Sequence, residues 1–198
     1  MPDYFTLLDE PRRPWLDADA LKAKFLARAA DLHPDRVHNA GETEKSAATA
    51  RYAELNAAYH CLLEPKSRLL HLLELESGAK PKDVQHIPPA LADLFAEVAN
   101  SCRSADSFLV EKSAVTSPLL QVQWFERAQV WIERLNLLKN KLGGLHAQLL
   151  DELKAIDANW DISARPEALA RLEELYRLFS YFNRWNRQLQ ERSTRLSF

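Results

Sequence analysis

Residues 21–62 read LKAKFLARAADLHPDRVHNAGETEKSAATARYAELNAAYHCL, and the spacing within that string decides the fold of the first part of the chain. Leu21, Phe25, Ala29 and Leu32 recur at i, i+4, i+8 and i+11, one apolar stripe of an α-helix. Tyr52, Leu55, Tyr59 and Leu62 repeat at the same kind of spacing, after a polar loop that holds Asn39, Gly41 and Glu42. Between the two stripes stand His33, Pro34 and Asp35. Pro34 fixes its own φ and disfavours helical geometry at His33, so the incoming helix stops here and presents His33 and Asp35 at an exposed tip. The pattern predicts an antiparallel helix hairpin with the triplet at its closed end. Its beginning is also marked, because Asp17 is a good N-cap and Leu16 with Leu21 occupy the N′ and N4 positions of a hydrophobic staple.

Beyond the hairpin the chain breaks at Gly78-Ala79-Lys80-Pro81 and again at Ile87-Pro88-Pro89, where prolines end one helix and suit the start of another. Leu91, Leu94, Phe95, Val98, Cys102, Ala105 and Leu109 then form a long stripe. After Thr116-Ser117-Pro118, Trp131, Leu135, Leu138, Leu142, Leu145, Leu149 and Ile156 follow at intervals of three, four or seven. Gly143-Gly144 lowers helix propensity without breaking that pattern, which predicts one long helix with a bend at the glycines. A last stripe of Leu172, Leu175, Phe179, Phe182, Leu189 and Leu196 follows Pro166. Three long helices imply an antiparallel bundle, and no period-two strand pattern competes anywhere. The expected architecture is all-α: a first part over residues 1–78, a linker over 79–87 and a helical bundle over 88–198.

Composition limits the functions open to this chain. Its 198 residues carry a formal net charge of −2, which provides no general attraction to nucleic acid or to acidic membrane surfaces. No apolar run approaches a membrane span, and the acidic opening Met1-Pro2-Asp3 is unlike a signal peptide, so a soluble, cytoplasmic protein is expected. Cys61 and Cys102 lie far apart among apolar neighbours and read as core thiols. The histidines at 33, 38, 60, 71, 86 and 146 are dispersed and form no metal-ligand set, so no metal or cofactor is expected. A nucleophile or acid–base pair in a pocket is missing too: His33 and Asp35 sit on a loop without a neighbouring Ser, Cys or glycine cradle, which argues against an enzyme. The final helix combines aromatics with Arg177, Arg184, Arg187, Arg192 and Arg195. A nucleic-acid role is disfavoured there, because Phe179 and Phe182 belong to the apolar stripe and Glu173, Glu174 and Glu191 dilute the charge.

Charge placement within the first part is more specific than its total. Residues 1–78 contain ten Lys and Arg against thirteen Asp and Glu, yet Lys24 and Arg28 pair at i, i+4 on one flank of the first hairpin helix, Lys22 lies on the other flank, and Arg36 follows the triplet. Asp93, Glu97 and Asn100, at i, i+4 and i+7, should share the outward face of the first bundle helix, opposite an inward stripe that includes Leu91, Leu94, Phe95 and Val98.

With the triplet, the opening Asp3-Tyr4-Phe5-Thr6-Leu7-Leu8, the Leu21/Phe25 pair, Asn56, Ala58, Tyr59 and Leu62, and then Pro65, Arg68, Leu72 and Leu73, the stretch from Asp3 to about Gly78 resembles a J-domain, in its details that of the HscB family of iron–sulfur co-chaperones. The resemblance implies a non-enzymatic protein that binds a DnaK- or HscA-type chaperone, stimulates its ATPase and delivers a client. His33, Pro34, Asp35, Lys22, Lys24, Arg28 and Arg36 would face the chaperone. It also implies that the first bundle helix, starting at Pro88-Pro89, grips an IscU-like iron–sulfur scaffold, with Asp93, Glu97 and Asn100 as the candidate contacts. Here the chain departs from the family pattern: Ala92, Asp93 and Ala96 replace large apolar residues, and Asn100 and Ser104 replace acids. Two rival readings follow, an adaptor whose bundle is the active part beside a degenerate hairpin and a J-domain protein with a different client. A homodimer is among the assemblies open to it.

Overall fold

Asp3 caps the first helix of the computed structural model, α1 (Tyr4–Leu7), its carboxylate accepting from the N–H groups of Phe5 and Thr6 at 3.0 and 3.3 Å. The structure describes residues 2–33, 41–81, 88–113, 118–160 and 165–197. Then follow α2 (Ala18–Leu32), α3 (Glu42–Leu63), α4 (Pro65–Ser77), a 3-10 turn (Pro89–Leu91), α5 (Ala92–Ser113), α6 (Pro118–Ala158) and α7 (Arg165–Ser197). No strand occurs among the described residues, as the apolar periodicities require.

The chain divides into two compact units, residues 1–82 with 151–177 and residues 83–150 with 178–198. In the first, α2 and α3 form the expected hairpin. Asp17 accepts from the Ala20 N–H at 2.8 Å, and Leu16 and Leu21 are buried on either side of that cap. The register is antiparallel: Phe25 stacks on Tyr59 with centroids 4.3 Å apart, while His33, eight residues on, reaches Tyr52, seven residues back. Ala29, Leu55, Ala58 and Leu62 are buried on the facing stripes. α4 ends in a left-handed Gly78 (φ 71°) whose N–H returns to the Glu74 carbonyl, a backbone conformation costly for residues with a Cβ.

His71 on α4 is buried under Tyr4 and Phe5, and its Nε2 accepts the Tyr4 N–H at 3.0 Å. Burial holds its pKa below the usual histidine range, with Arg12 acting the same way and Asp3 and Glu74 opposing. Protonation would turn the acceptor into a donor facing another donor. The folded pKa is depressed, so below the unfolded value of about 6.5 the unfolded chain binds the extra proton and stability falls as pH drops. Urea titrations between pH 7.5 and 5.5 should show this as a falling midpoint, approaching about 1.4 kcal/mol per pH unit at most. A His71→Phe variant with the same slope as wild type would remove His71 from that account.

The same unit holds a polar clasp. Asp157 near the end of α6 accepts from Arg13 Nε at 2.8 Å and from the Trp15 N–H at 3.0 Å, and the Trp160 indole N–H donates to the Arg12 carbonyl at 2.8 Å. Arg68 is buried, donating to the carbonyls of Pro14 at 2.8 Å and Leu62 at 2.6 Å, and burial pulls its pKa down to about 10, which still leaves it charged at neutral pH. This clasp corrects the expected last turn of the α6 stripe: Ile156 is half-buried, whereas Leu153, Asp157 and Trp160 are buried.

In the second unit α5, α6 and α7 run up, down and up. Glu97 meets Lys141 and Phe108 meets Trp124 and Trp131, while Lys139 meets Gln190 and His146 meets Phe179, so rising numbers on one helix face falling numbers on the next. Leu94, Val98, Leu135, Leu142, Phe182 and Leu189 are among the buried side chains of this core. α6 passes Gly143-Gly144 without interruption. Two further expectations fail, at Phe95 here and at Cys61 in the first unit. Phe95 is 43% exposed, because Leu94, Val98, Cys102, Ala105 and Leu109 already fill the inward arc and Phe95 falls at its edge, tilted against Trp185. Cys61 is half-buried instead of a core thiol; its Sγ donates to the Ser67 carbonyl, and burial with the nearby Glu64 and Glu74 pushes its pKa up to about 11.

Candidate functional site

α2 ends where the triplet begins. Its C-cap is His33, whose φ of −59° and ψ of 129° have left helical space, as expected of a residue followed by proline. The His33 imidazole is exposed and lies edge-on to the Tyr52 ring at 5.3 Å. Tyr52 lies on α3, where its backbone carbonyl accepts from Asn56 Nδ2 at 2.8 Å. The expected residues Pro34, Asp35 and Arg36 lie outside the described residues.

The three basic side chains of α2 are not equivalent. Lys22 and Arg28 are exposed and make no ion pair among the described residues. Lys24 turns back instead, its ammonium 2.6 Å from the Asp9 carbonyl and 3.0 Å from the Glu10 carboxylate. Asp9 has φ 56° and joins α1 to the segment before α2, so Lys24 fastens that turn to the hairpin and has less freedom to meet a partner. Between the two flanks the outward face of α2 is small and apolar, with Ala23, Ala27 and Ala30 exposed and Leu26 at 55% exposure. Sequence reading passed over Leu26 and counted Tyr52 only as part of the apolar stripe, with no sign of its contact with His33.

On α5, Asp93, Glu97 and Asn100 are all exposed. Glu97 is paired with Lys141 at 2.6 Å, and the Asn100 side chain accepts from Arg103 on the same helix. The structure therefore spreads Lys22, Lys24 and Arg28 along α2, the helix that ends at His33, and places Asp93, Glu97 and Asn100 on one exposed face of α5. Among the described residues no group of three or more His, Cys, Asp or Glu side chains is placed to hold a metal ion. No described helix is long and apolar enough to cross a membrane.

No family model matches the chain. Individual proteins do. The chain is 29% identical over 156 residues to a co-chaperone protein HscB homolog of Chromobacterium violaceum, covering 77% of this chain and 75% of that one. It is 27% identical over 179 residues to the corresponding protein of an Azoarcus species, covering 86% and 85%. Among solved structures it superposes on the chaperone HscB from Vibrio cholerae with a TM-score of 0.60 at 19% identity, over 98% of this chain and 99% of that one. It superposes on the human co-chaperone HscB with a TM-score of 0.64 at 18% identity, over 96% and 82%. The all-α fold with a hairpin module and a long-helix bundle is thus the fold of those proteins.

Proposed function

We propose that this chain, similar to the HscB co-chaperones along most of its length, is a J-domain co-chaperone that binds a DnaK- or HscA-type chaperone, stimulates its ATP hydrolysis and hands it an iron–sulfur scaffold protein. The observation that carries the reading is His33, exposed at the C-cap of α2 immediately before Pro34-Asp35 and steadied against α3. In this reading residues 1–78 act as the J module, 79–87 as a linker and 88–198 as the client-binding bundle. The ATP chemistry belongs to the partner. This chain contributes a hairpin that presents His33 for docking, followed in sequence by Pro34 and Asp35, with basic flanks that steer a negatively charged surface towards it. It acts as a cytoplasmic non-enzyme with no cofactor of its own, as a monomer or a homodimer.

Single-turnover ATP hydrolysis by a DnaK-type chaperone, measured with and without the full chain, tests the reading. Acceleration supports it. A rate equal to the chaperone's basal rate, from a chain that still binds a scaffold, would favour an adaptor whose bundle is the working part.

The flanking cations make a further expectation. Lys22→Glu with Arg28→Glu should slow association with the chaperone by about tenfold at low ionic strength, and the deficit should shrink towards about 1 M salt, where the Debye length is about 3 Å. Lys24→Glu should differ by also lowering the melting temperature, since it sets like charge against Glu10. Stopped-flow association at several salt concentrations reads the first effect and a melting curve the second. An unchanged rate at low salt for the Lys22/Arg28 variant would remove the flanks from the mechanism.

A further inference from the structure

In the second unit, α6 repeats one pattern at a spacing of seven: Trp124-Phe125-Glu126-Arg127 and then Trp131-Ile132-Glu133-Arg134. All four charged side chains are exposed. On a helix that turns about 100° per residue, a step of seven returns close to the same face, so the arginines form one row and the glutamates another. Val130 and Leu137, also seven apart, fall between the two rows and are 49% and 70% exposed. An apolar line with cations along one edge and carboxylates along the other is what one helix of a coiled coil presents to its neighbour.

The charges of this seam are not spent within the chain. Neither arginine has a carboxylate three or four residues away on α6, and neither glutamate has a base there. None of the four makes a hydrogen bond or an ion pair among the described residues. The arginines are laid over rings instead: the Arg127 guanidinium is 4.2 Å from the Trp124 centroid and 5.3 Å from that of Phe108, and Arg134 is 5.1 Å from Trp131. Stacking fixes the plane of a guanidinium and leaves its N–H edge open to a carboxylate. The next step of seven along the basic row is Lys141, which Glu97 already holds at 2.6 Å, so the open row ends at Arg134.

We propose that this seam docks an amphipathic helix of a second protein, with its apolar line on Val130 and Leu137, a row of carboxylates on Arg127 and Arg134, and a row of amines or guanidiniums on Glu126 and Glu133. The two arginines stand about 10.5 Å apart along the axis, the distance between residues seven apart on the incoming helix. A nucleic acid does not fit, because the glutamate row repels phosphates and the guanidiniums cover the indole faces on which bases would stack. A second copy of this chain fits less well: two apolar side chains are few for the roughly 800 Å² that each partner buries in a stable dimer. A short helix held transiently needs less. Docking here does not depend on the co-chaperone reading.

Fluorescence anisotropy with the full chain tests it, using three labelled helical peptides of about three heptads, each with a leucine line. One carries glutamates on one flank and lysines on the other, one glutamates on both, and one lysines on both. The mixed peptide should bind most tightly. Arg127→Glu with Arg134→Glu should weaken it by about tenfold and make the lysine peptide the tightest of the three. Leu137→Ser should weaken all three. Glu126→Lys with Glu133→Lys, which removes no ring contact, should instead transfer the preference to the glutamate peptide. Melting curves check folding, and if the arginine variant melts early the glutamate variant still reads the transfer. Absence of binding by the wild-type chain, equal affinity for the three peptides, or an unchanged ranking in the charge variants would each overturn the proposal. Sedimentation showing copies of the chain paired, and unpaired by Arg127→Glu with Arg134→Glu, would overturn it in favour of a second copy.

Discussion

His33→Gln is expected to reduce stimulation of the partner chaperone's ATPase to its basal rate while the melting temperature stays within a degree or two of wild type. The side chain is exposed and follows the last turn of α2. Its loss opens no cavity, and exposed substitutions of this kind usually change stability by no more than about 0.5 kcal/mol. Docking is different, since a group inserted at the centre of an interface can carry several kcal/mol, each 1.4 of which is about tenfold in affinity. Scaffold binding, which we propose for α5, should be unaffected. A His33→Gln protein that stimulates hydrolysis like wild type would retire the J-domain mechanism, whereas one that melts early would show a structural role for the ring at Tyr52.

The second large effect is expected on α5. Asp93→Arg combined with Glu97→Arg should abolish scaffold binding in calorimetry while basal chaperone stimulation, measured without scaffold, persists. Two reversed charges at a contact face bring like charge or lost pairing, typically about 2–5 kcal/mol at a buried pair, or roughly 30- to several thousand-fold. Glu97→Arg also faces Lys141, the partner it holds at 2.6 Å. Lys141→Glu in the Glu97→Arg background restores that internal pair and so separates a local disturbance from a lost contact. Scaffold binding by the double reversal equal to wild type would move the client face elsewhere. No binding by the wild-type chain would replace the iron–sulfur client with another.

The hairpin and the three long helices were legible because each repeats an apolar residue every three or four positions and each boundary carries a proline, a glycine or a capping acid: Asp17, Pro65, Gly78 and Pro88-Pro89 all stand where a helix starts or stops. Phe95 was misread because adjacent positions 94 and 95 both satisfy that spacing, and only the rest of the stripe, at 98, 102, 105 and 109, shows which of the two the helix turns inward. Lys24 looked like a docking residue because its i+4 partner Arg28 is local, while Glu10 lies across an irregular turn through Asp9 at φ 56°. Pairings such as Trp160 with the Arg12 carbonyl join residues 148 positions apart, and a single sequence carries no periodic signal for them. The exposed position of His33 was readable for the opposite reason: it depends on one neighbour, Pro34.

The clasp around Asp157 has a bearing on how such proteins can be recombined. A hairpin module cut out at residue 78 and grafted onto a foreign bundle would arrive with the Arg13 guanidinium, the Trp15 N–H and the Arg12 carbonyl stripped of the groups at Asp157 and Trp160 that satisfy them. Each such orphan costs about 1–3 kcal/mol if it stays buried. A graft that keeps its hairpin rigid therefore has to bring along Asp157 to Trp160, the end of α6 and the residues just past it. The apparent module border at residue 78 is a poor place to cut, because the first unit is completed by residues 151–177.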